Sequence, residues 1–181
     1  DLGRPHDAIM RAPVAITSAD YLVLESTYGD RRHDPADPED VLADVINRTA
    51  SRGGVLIIPS FAVGRAQTIL YYVERLKAAK RIPDLPVFLN SPMAIDATDL
   101  LHAHRADHRL PPKVCNAICG IATYTRDVEG SKAITASPYP KVVISASGMA
   151  TGGRVLHHLR AFAPEQKNTI LFSGFQAAGT R

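Results

Sequence analysis

Short apolar runs alternate with amphipathic segments along most of this chain, and this alternation limits the fold more than any other feature. Turn-forming residues bound the apolar runs, which predicts strands at residues 21–25, 54–59, 86–90, 141–145 and 169–173. Because most of these runs are continuously apolar, we expect the strands to be covered by helices on both faces. Apolar residues recur at helical spacing at residues 38–52, 63–80, 94–103 and 153–162. The pattern predicts an α/β layered domain with a mostly parallel sheet flanked by helices.

The composition is that of a folded and moderately basic chain. It has 181 residues, of which 45% are hydrophobic, and a formal net charge of +3. These values exclude a disordered tail, a collagen-like fibre and a disulfide-rich miniprotein. The charge permits an anionic partner without requiring one. No apolar run approaches the ~20 residues of a membrane-spanning helix, so we expect no membrane partner.

The two cysteines, Cys115 and Cys119, are too few for a structural zinc site and have no histidine pair nearby at ligand spacing. We expect reduced, inert thiols, as in cytoplasmic proteins. His157 and His158 are adjacent on a predicted helix and point about 100° apart, so they cannot bind one metal from one face. We expect them to serve surface or core packing, and the chain to have no self-contained metal centre.

The two ends suggest a piece of a longer protein. The chain starts at Asp1 without an initiator methionine, and it stops at Arg181 soon after an apolar run. We interpret it as an excised segment, so that residues outside it would complete any shared site.

Two loops after predicted strands are candidate anion sites, because α/β sheets gather their function at the carboxyl ends of strands. In the first, Ser60 could accept from free amides at a helix start, and Arg65 offers a fork that suits phosphate. A capped helix with one solvated arginine is the alternative for this loop. The second loop, SASGMATGGR at residues 145–154, lacks the glycine spacing of ATP and NAD sites, which favours contact with a phosphodiester. The alternative for this loop is a flexible connector. Its candidate residues are Ser147, Gly148, Met149, Gly152, Gly153 and Arg154.

Glu25 stands at the end of the first predicted strand, where a cleft is expected. A carboxylate there could orient a histidine or a metal ligand. The alternative is a polar turn closed by Gly29.

These motifs together resemble the β-CASP group of metallo-β-lactamase-fold nucleases, which process RNA. The resemblance covers nearly the whole chain and rests on six short sequence motifs that occur in the same order. They are DLGR (1–4), ESTYG (25–29), IPSFAVGR (58–65), NSPMA (90–94), SASGM (145–149) and FSGFQAAGT (172–180).

The resemblance implies a zinc-dependent phosphodiester hydrolase in the intact protein, with single-stranded RNA as its substrate. Asp1 would bridge two zinc ions, and Glu25 would be a catalytic residue that hydrogen-bonds a histidine near them. The other zinc ligands would lie before Asp1 and beyond Arg181, so no zinc is expected on this piece, which would be inactive alone. The candidate residues of the two loops would contact the RNA backbone.

The resemblance also implies a domain division. Residues 34–165 would be the β-CASP cap, residues 1–33 a remnant of the metallo-β-lactamase domain and hinge, and residues 166–181 a strand leading back to that domain. Strands 21–25 and 169–173 would then expose edges that pair with each other or promote self-association, which leaves a homodimer open. The missing metallo-β-lactamase half is the main expected partner.

Three other functions stay open. The chain could be a metal-free RNA-binding module, although its 6% aromatic content and lack of Trp supply a stacking surface poorly. It could be a scaffold without catalysis, or it could act on DNA.

Overall fold

Strands and helices alternate from residue 38 onward in the computed structural model, which describes residues 3–32 and 34–180. The helices are α1 (Pro38–Ser51), α2 (Arg65–Ala78), α3 (Pro92–Ala103), α4 (Pro112–Gly120), α5 (Val128–Ala136) and α6 (Val155–Phe162). The strands are β1 (Val55–Pro59), β2 (Val87–Leu89), β3 (Thr123–Tyr124), β4 (Lys141–Ser145) and β5 (Thr169–Ile170).

All five strands are parallel and form one sheet in the order β3-β2-β4-β1-β5. The central pair is β1 and β4, in register from Val55 opposite Lys141 to Pro59 opposite Ser145. Every residue of both strands is buried. The predicted α/β layered domain with a parallel sheet is therefore confirmed.

Helices cover both faces of the sheet, because alternate residues of each strand point to opposite sides. On one side, Leu56 and Ile58 pack in a large core with residues of α1, α2, α3 and α4. On the other side, Val55 and Ile57 pack in a smaller core whose remaining members include Ile134 of α5 and Val155 and Phe162 of α6. This two-sided burial explains why the strand sequences are continuously apolar.

The helix starts follow local capping chemistry, with one exception to the sequence prediction. The Asp37 carboxylate accepts from the Glu39 amide at the start of α1, and the Ser91 hydroxyl accepts from the Ala94 amide at the start of α3. Ser60 was predicted to cap the next helix, and this is wrong. Helix α2 begins five residues later, after Gly64 at φ +78°, and no side chain caps it.

Residues 21–25 do not form the predicted strand. They are exposed, with Tyr21 at 93% and Val23 at 96% of their full accessible surface, and no residue of the described chain pairs with them. The expected pairing with residues 169–173 is also wrong, since Leu56 and Ile57 of β1 pair with Thr169 and Ile170. The other edge of β5 has no partner strand among the described residues, so residues 21–25 do not pair there either.

The division at residues 34 and 166 remains a prediction. Within the described residues, β5 is the edge strand of the same sheet as β1 to β4. None of the helices described here is long and apolar enough to cross a membrane.

Candidate functional site

The chain leaves the neighbouring strands β1 and β4 in opposite directions at the carboxyl end of the sheet, and a crevice is expected at such a point. After β1 the chain crosses through α2 to β2 on one side of β4, whereas after β4 it crosses through α6 to β5 on the other side of β1. The helices that follow, α2 and α6, pack on opposite faces of the sheet, while the two loops themselves meet where Phe61 packs on Gly148. Such switch points are the usual binding sites of parallel α/β sheets. We call residues 60–64 and 146–154 the crevice loops.

The loop after β1 is fixed by buried polar contacts. The Ser60 amide donates to the Ser145 carbonyl at 2.9 Å, and the buried Ser60 hydroxyl donates to the Phe61 carbonyl at 3.1 Å. From α2, the Gln67 side-chain amide donates to the carbonyls of Ala62 and Ala94 and to the Thr98 hydroxyl. Ser60 therefore joins the two central strands, and Gln67 ties the loop to α3.

Arg65 is the first residue of α2 and is partly exposed. Its guanidinium makes no hydrogen bond or ion pair with any residue in the described ranges 3–32 and 34–180. Because no side chain caps this helix, the positive end of its dipole lies beside the guanidinium. The two positive features reinforce each other and favour an anion at this point of the crevice.

The surrounding sequence adds no negative charge. Residues 54–73, 141–164 and 166–181, which contain both crevice loops, have no Asp or Glu. The uncompensated Arg65 therefore gives this part of the crevice a positive potential.

The loop after β4 folds back on itself through Ser147. Its hydroxyl donates to the Gly152 carbonyl at 3.2 Å and accepts from the Gly152 amide at 3.3 Å. A Cβ atom on Gly148 would lie 2.7 Å from the Phe61 ring, and one on Gly153, where φ is +76°, would clash with the Ala146 carbonyl. Gly148 and Gly153 are thus required by close packing, whereas Gly152 faces open space.

Arg154 holds the protein together rather than lying free in the crevice. Its guanidinium donates to the Asn90 side-chain carbonyl at 2.8 Å, to the Thr125 carbonyl at 3.0 Å and to the Arg126 carbonyl. These bonds link the end of β2 and the turn before α5 to the start of α6. Met149 is partly buried beside Gly148. A role for either residue in substrate contact stays a prediction.

A buried network lies beneath the glycine-rich loop and centres on Asn90. The Asn90 side-chain amide donates to the Ser131 hydroxyl at 2.7 Å and to His158 Nε2 at 2.7 Å. His158 Nδ1 lies 3.3 Å from the Thr135 hydroxyl, so the neutral ring with its proton on Nδ1 satisfies both contacts. Burial, helped by neighbouring positive groups, lowers the pKa of His158 to about 4. The predicted packing role is confirmed for His158.

The C-terminal stretch closes one side of the crevice. The Gln176 side-chain amide donates to the Gly148 carbonyl at 3.0 Å, and the Ser173 hydroxyl reaches the Pro59 carbonyl at 3.5 Å. A Cβ on Gly174 would lie 3.6 Å from the Phe61 ring, an ordinary contact distance. Residues 173–176 therefore lie against both crevice loops.

Comparison with known proteins identifies the family. The Beta-Casp domain family matches residues 66–181, which is more than half of the chain. The chain belongs to the Beta-Casp family. Ribonuclease TTHA0252 of Thermus thermophilus is 34% identical over 191 residues, which cover 99% of this chain and 43% of that protein.

Two other relatives are similar to the chain at the same level. Transcription termination factor FttA of Methanosarcina mazei is 33% identical over 172 residues, which cover 88% of this chain and 26% of that protein. The RNase J-like protein of Methanocaldococcus jannaschii is 31% identical over 176 residues, which cover 95% and 41%. The chain thus spans less than half the length of each of these three relatives.

The Beta-Casp resemblance connects two residues with catalysis, Asp1 and Glu25. Asp1 lies outside the described residues. Glu25 is exposed, and its carboxylate accepts from the Thr27 amide at 2.9 Å, which lowers the pKa of that carboxyl. No group of three or more His, Cys, Asp and Glu side chains in the described residues could hold a metal ion. The described residues therefore do not form a zinc site.

Sequence reasoning missed the amide side chains that shape this Beta-Casp crevice. All three lie in the motifs that carry the resemblance or within two residues of them, yet none was predicted as a site residue. They are Gln67, Asn90 and Gln176. Their signal was the polar residue type within an otherwise apolar setting, because a buried amide needs several hydrogen-bond partners.

Proposed function

We propose that this chain is the substrate-binding part of an RNA-processing nuclease, and that single-stranded RNA binds in the crevice between the two crevice loops. The carrying observation is the free guanidinium of Arg65 at the uncapped start of α2, in a crevice whose loops contain no acidic residue. The names of the similar proteins, which are a ribonuclease, an RNase J-like protein and a transcription termination factor, support RNA as the anion.

Arg65 would donate to phosphate oxygens of the RNA backbone, and the α2 dipole would add to the attraction. Backbone amides of residues 148–153 would supply further donors, apart from those of Ala150 and Gly152, which already donate to Ser147, and the open space at Gly152 allows a close approach. Ser60 and Ser147 would hold the loops in place through the hydrogen bonds already described. These contacts position the backbone and do not select a base sequence.

Cleavage is part of the same proposal for the longer protein. We propose that it is metal-assisted hydrolysis, with two zinc ions that supply Lewis acidity and with Asp1 and Glu25 in the roles that the family resemblance implies. The residues of the described ranges bind and orient the substrate, and we assign no bond-breaking step to them. The chain alone would then be inactive, with the metallo-β-lactamase half as its partner.

The salt dependence of RNA binding tests this function. Anisotropy of a labelled single-stranded RNA, titrated with the chain at several salt concentrations, gives a log–log slope that reports the number of phosphate contacts. Arg65→Ala should weaken binding to all sequences alike and reduce the slope by about one. Arg160→Ala is the matched control, because Arg160 is an exposed arginine in the last turn of α6, at the opposite end of the sheet. Equal slopes for the wild type and Arg65→Ala would remove Arg65 from the site.

A further inference from the structure

We propose that Phe61 is a stacking surface for an unpaired base of the bound RNA, which makes the crevice selective for single-stranded over double-stranded substrate. This inference rests on the proposed function. Phe61 was not among the predicted site residues, and the low aromatic content of the chain argued against a stacking surface.

Phe61 lies in the crevice with 44% of its surface exposed, although it directly follows the buried Ser60. An exposed aromatic ring in a candidate site offers apolar surface that a ligand can cover. Every nucleobase has a face that can stack on such a ring, and the contact does not depend on base sequence.

The ring is held in place by its neighbours. Its edge packs against Gly148, where a Cβ would lie 2.7 Å from Cδ2, and Gly174 lies beside Cε2. The Phe61 carbonyl accepts from both the Ala66 amide at 3.2 Å and the Ser60 hydroxyl at 3.1 Å. Since the two glycines leave room for the ring and the backbone is fixed, stacking would cost little conformational entropy.

Other aromatic side chains lie in the C-terminal stretch, on either side of Gly174, whose Cβ position is 3.6 Å from the Phe61 ring. Phe172 and Phe175 are partly exposed in the stretch that lies against the crevice loops, and Phe175 meets Tyr28 edge to face at 5.9 Å between ring centres. Three exposed phenylalanines therefore lie in the loop after β1 and the C-terminal stretch, which the overall composition does not show.

The position of Phe61 relative to the positive charge of Arg65 fits a nucleotide. Arg65 follows Phe61 by four residues, at the start of α2, so a base on the ring and a phosphate at the guanidinium could belong to one strand. In a duplex the bases are already stacked and paired, so the ring would gain nothing from it.

The absence of tryptophan from the chain permits a direct test. Phe61→Trp introduces the only tryptophan of the chain, whose selectively excited emission should be quenched by an oligoadenylate and unchanged by an abasic oligomer of the same length. Tyr139→Trp is the control, since Tyr139 is exposed just before β4, at the amino end of the strands and away from the crevice loops. Its emission should change with neither oligomer.

Affinity measurements complete the test. Phe61→Leu keeps an apolar side chain in the packing position, so a folded variant is expected and circular dichroism checks it. The wild-type chain should bind the oligoadenylate at least about fivefold more tightly than the abasic oligomer, and Phe61→Leu should remove most of that difference.

The outcomes separate the two proposals. Equal, salt-dependent binding of both oligomers by the wild type would overturn stacking and leave the proposed function intact. Quenching by a duplex as strong as by the single strand would also overturn it. No binding of either oligomer at low salt would overturn both.

Discussion

Asn90 and His158 lie 68 residues apart in the chain, yet the Asn90 side-chain amide donates to His158 Nε2 at 2.7 Å in the protein interior. The other side-chain atom of Asn90, its carbonyl oxygen, accepts from Arg154. One buried amide therefore joins the end of β2, helix α6 and the last residue of the glycine-rich crevice loop. The geometry of that loop depends on a side chain that no ligand need touch.

Removal of this amide should destabilise the fold. Asn90→Ala removes the hydrogen-bond partner of His158 Nε2, a partner of the Ser131 hydroxyl and one of the three acceptors of Arg154, and each loss that leaves a buried group unpaired costs about 1–3 kcal/mol. We expect the free energy of unfolding in urea to fall by at least about 2 kcal/mol. Asn47→Ala, which removes one exposed hydrogen bond to the Arg81 carbonyl, should change it by well under half of that. Equal effects of the two substitutions would contradict the central role of Asn90.

The stability of the chain should depend on the protonation of His158. Burial is the main cause that lowers the pKa of this ring from 6.5 to about 4, and the charges of His157, Lys141 and Arg154 act in the same direction. The unfolded chain therefore binds a proton between these pH values that the folded chain excludes.

The contribution of His158 to the free energy of unfolding is therefore fully present above about pH 7. It declines as the pH falls from 6.5 to 4, by up to about 3 kcal/mol. Urea unfolding at a series of pH values measures the slope. His158→Gln should flatten it, and His6→Gln, at an exposed position, should leave it unchanged. A slope that persists in His158→Gln would assign the effect to other groups.

Two glycines of the crevice loop should respond differently to the same small change. A Cβ on Gly148 would lie 2.8 Å from the Phe61 backbone nitrogen and 2.7 Å from its ring, whereas none of the described atoms lies within 4 Å of a Cβ on Gly152. We expect Gly148→Ala to cost about 1–3 kcal/mol of stability and to displace Phe61. Gly152→Ala should be close to neutral in thermal unfolding. If Gly152→Ala were the more damaging of the two, the packing described for this loop would be wrong.

Much of the fold follows from local sequence signals. The continuously apolar runs at β1, β2, β4 and β5 and the periodicity of α1, α2, α3 and α6 predicted the layered α/β architecture, because each signal reflects burial on one or both faces. Strand β3 was missed, since two residues, Thr123 and Tyr124, carry too little pattern. Residues 21–25 gave a strong strand signal and form no strand, because apolar character does not supply a partner.

The site was predicted less completely than the fold. The sequence predicts the two loops as candidate sites because small residues and glycines after apolar runs are a local signal, and Arg65 is unusual at the positive end of a helix dipole. The engagement of Arg154 with Asn90, and the packing of Phe61 on Gly148, depend on which strands are neighbours in the sheet. No local pattern contains that information.

The central claim is that RNA occupies the crevice between residues 60–64 and 146–154. Photo-crosslinking of a 4-thiouridine-containing single-stranded RNA to the chain, followed by peptide mass spectrometry, locates the contact directly. We predict crosslinks in residues 60–65, 146–154 and 172–176, and their loss when unlabelled single-stranded RNA competes. Crosslinks confined to the amino end of the strands, in the turns before β2 and β4, would contradict the account.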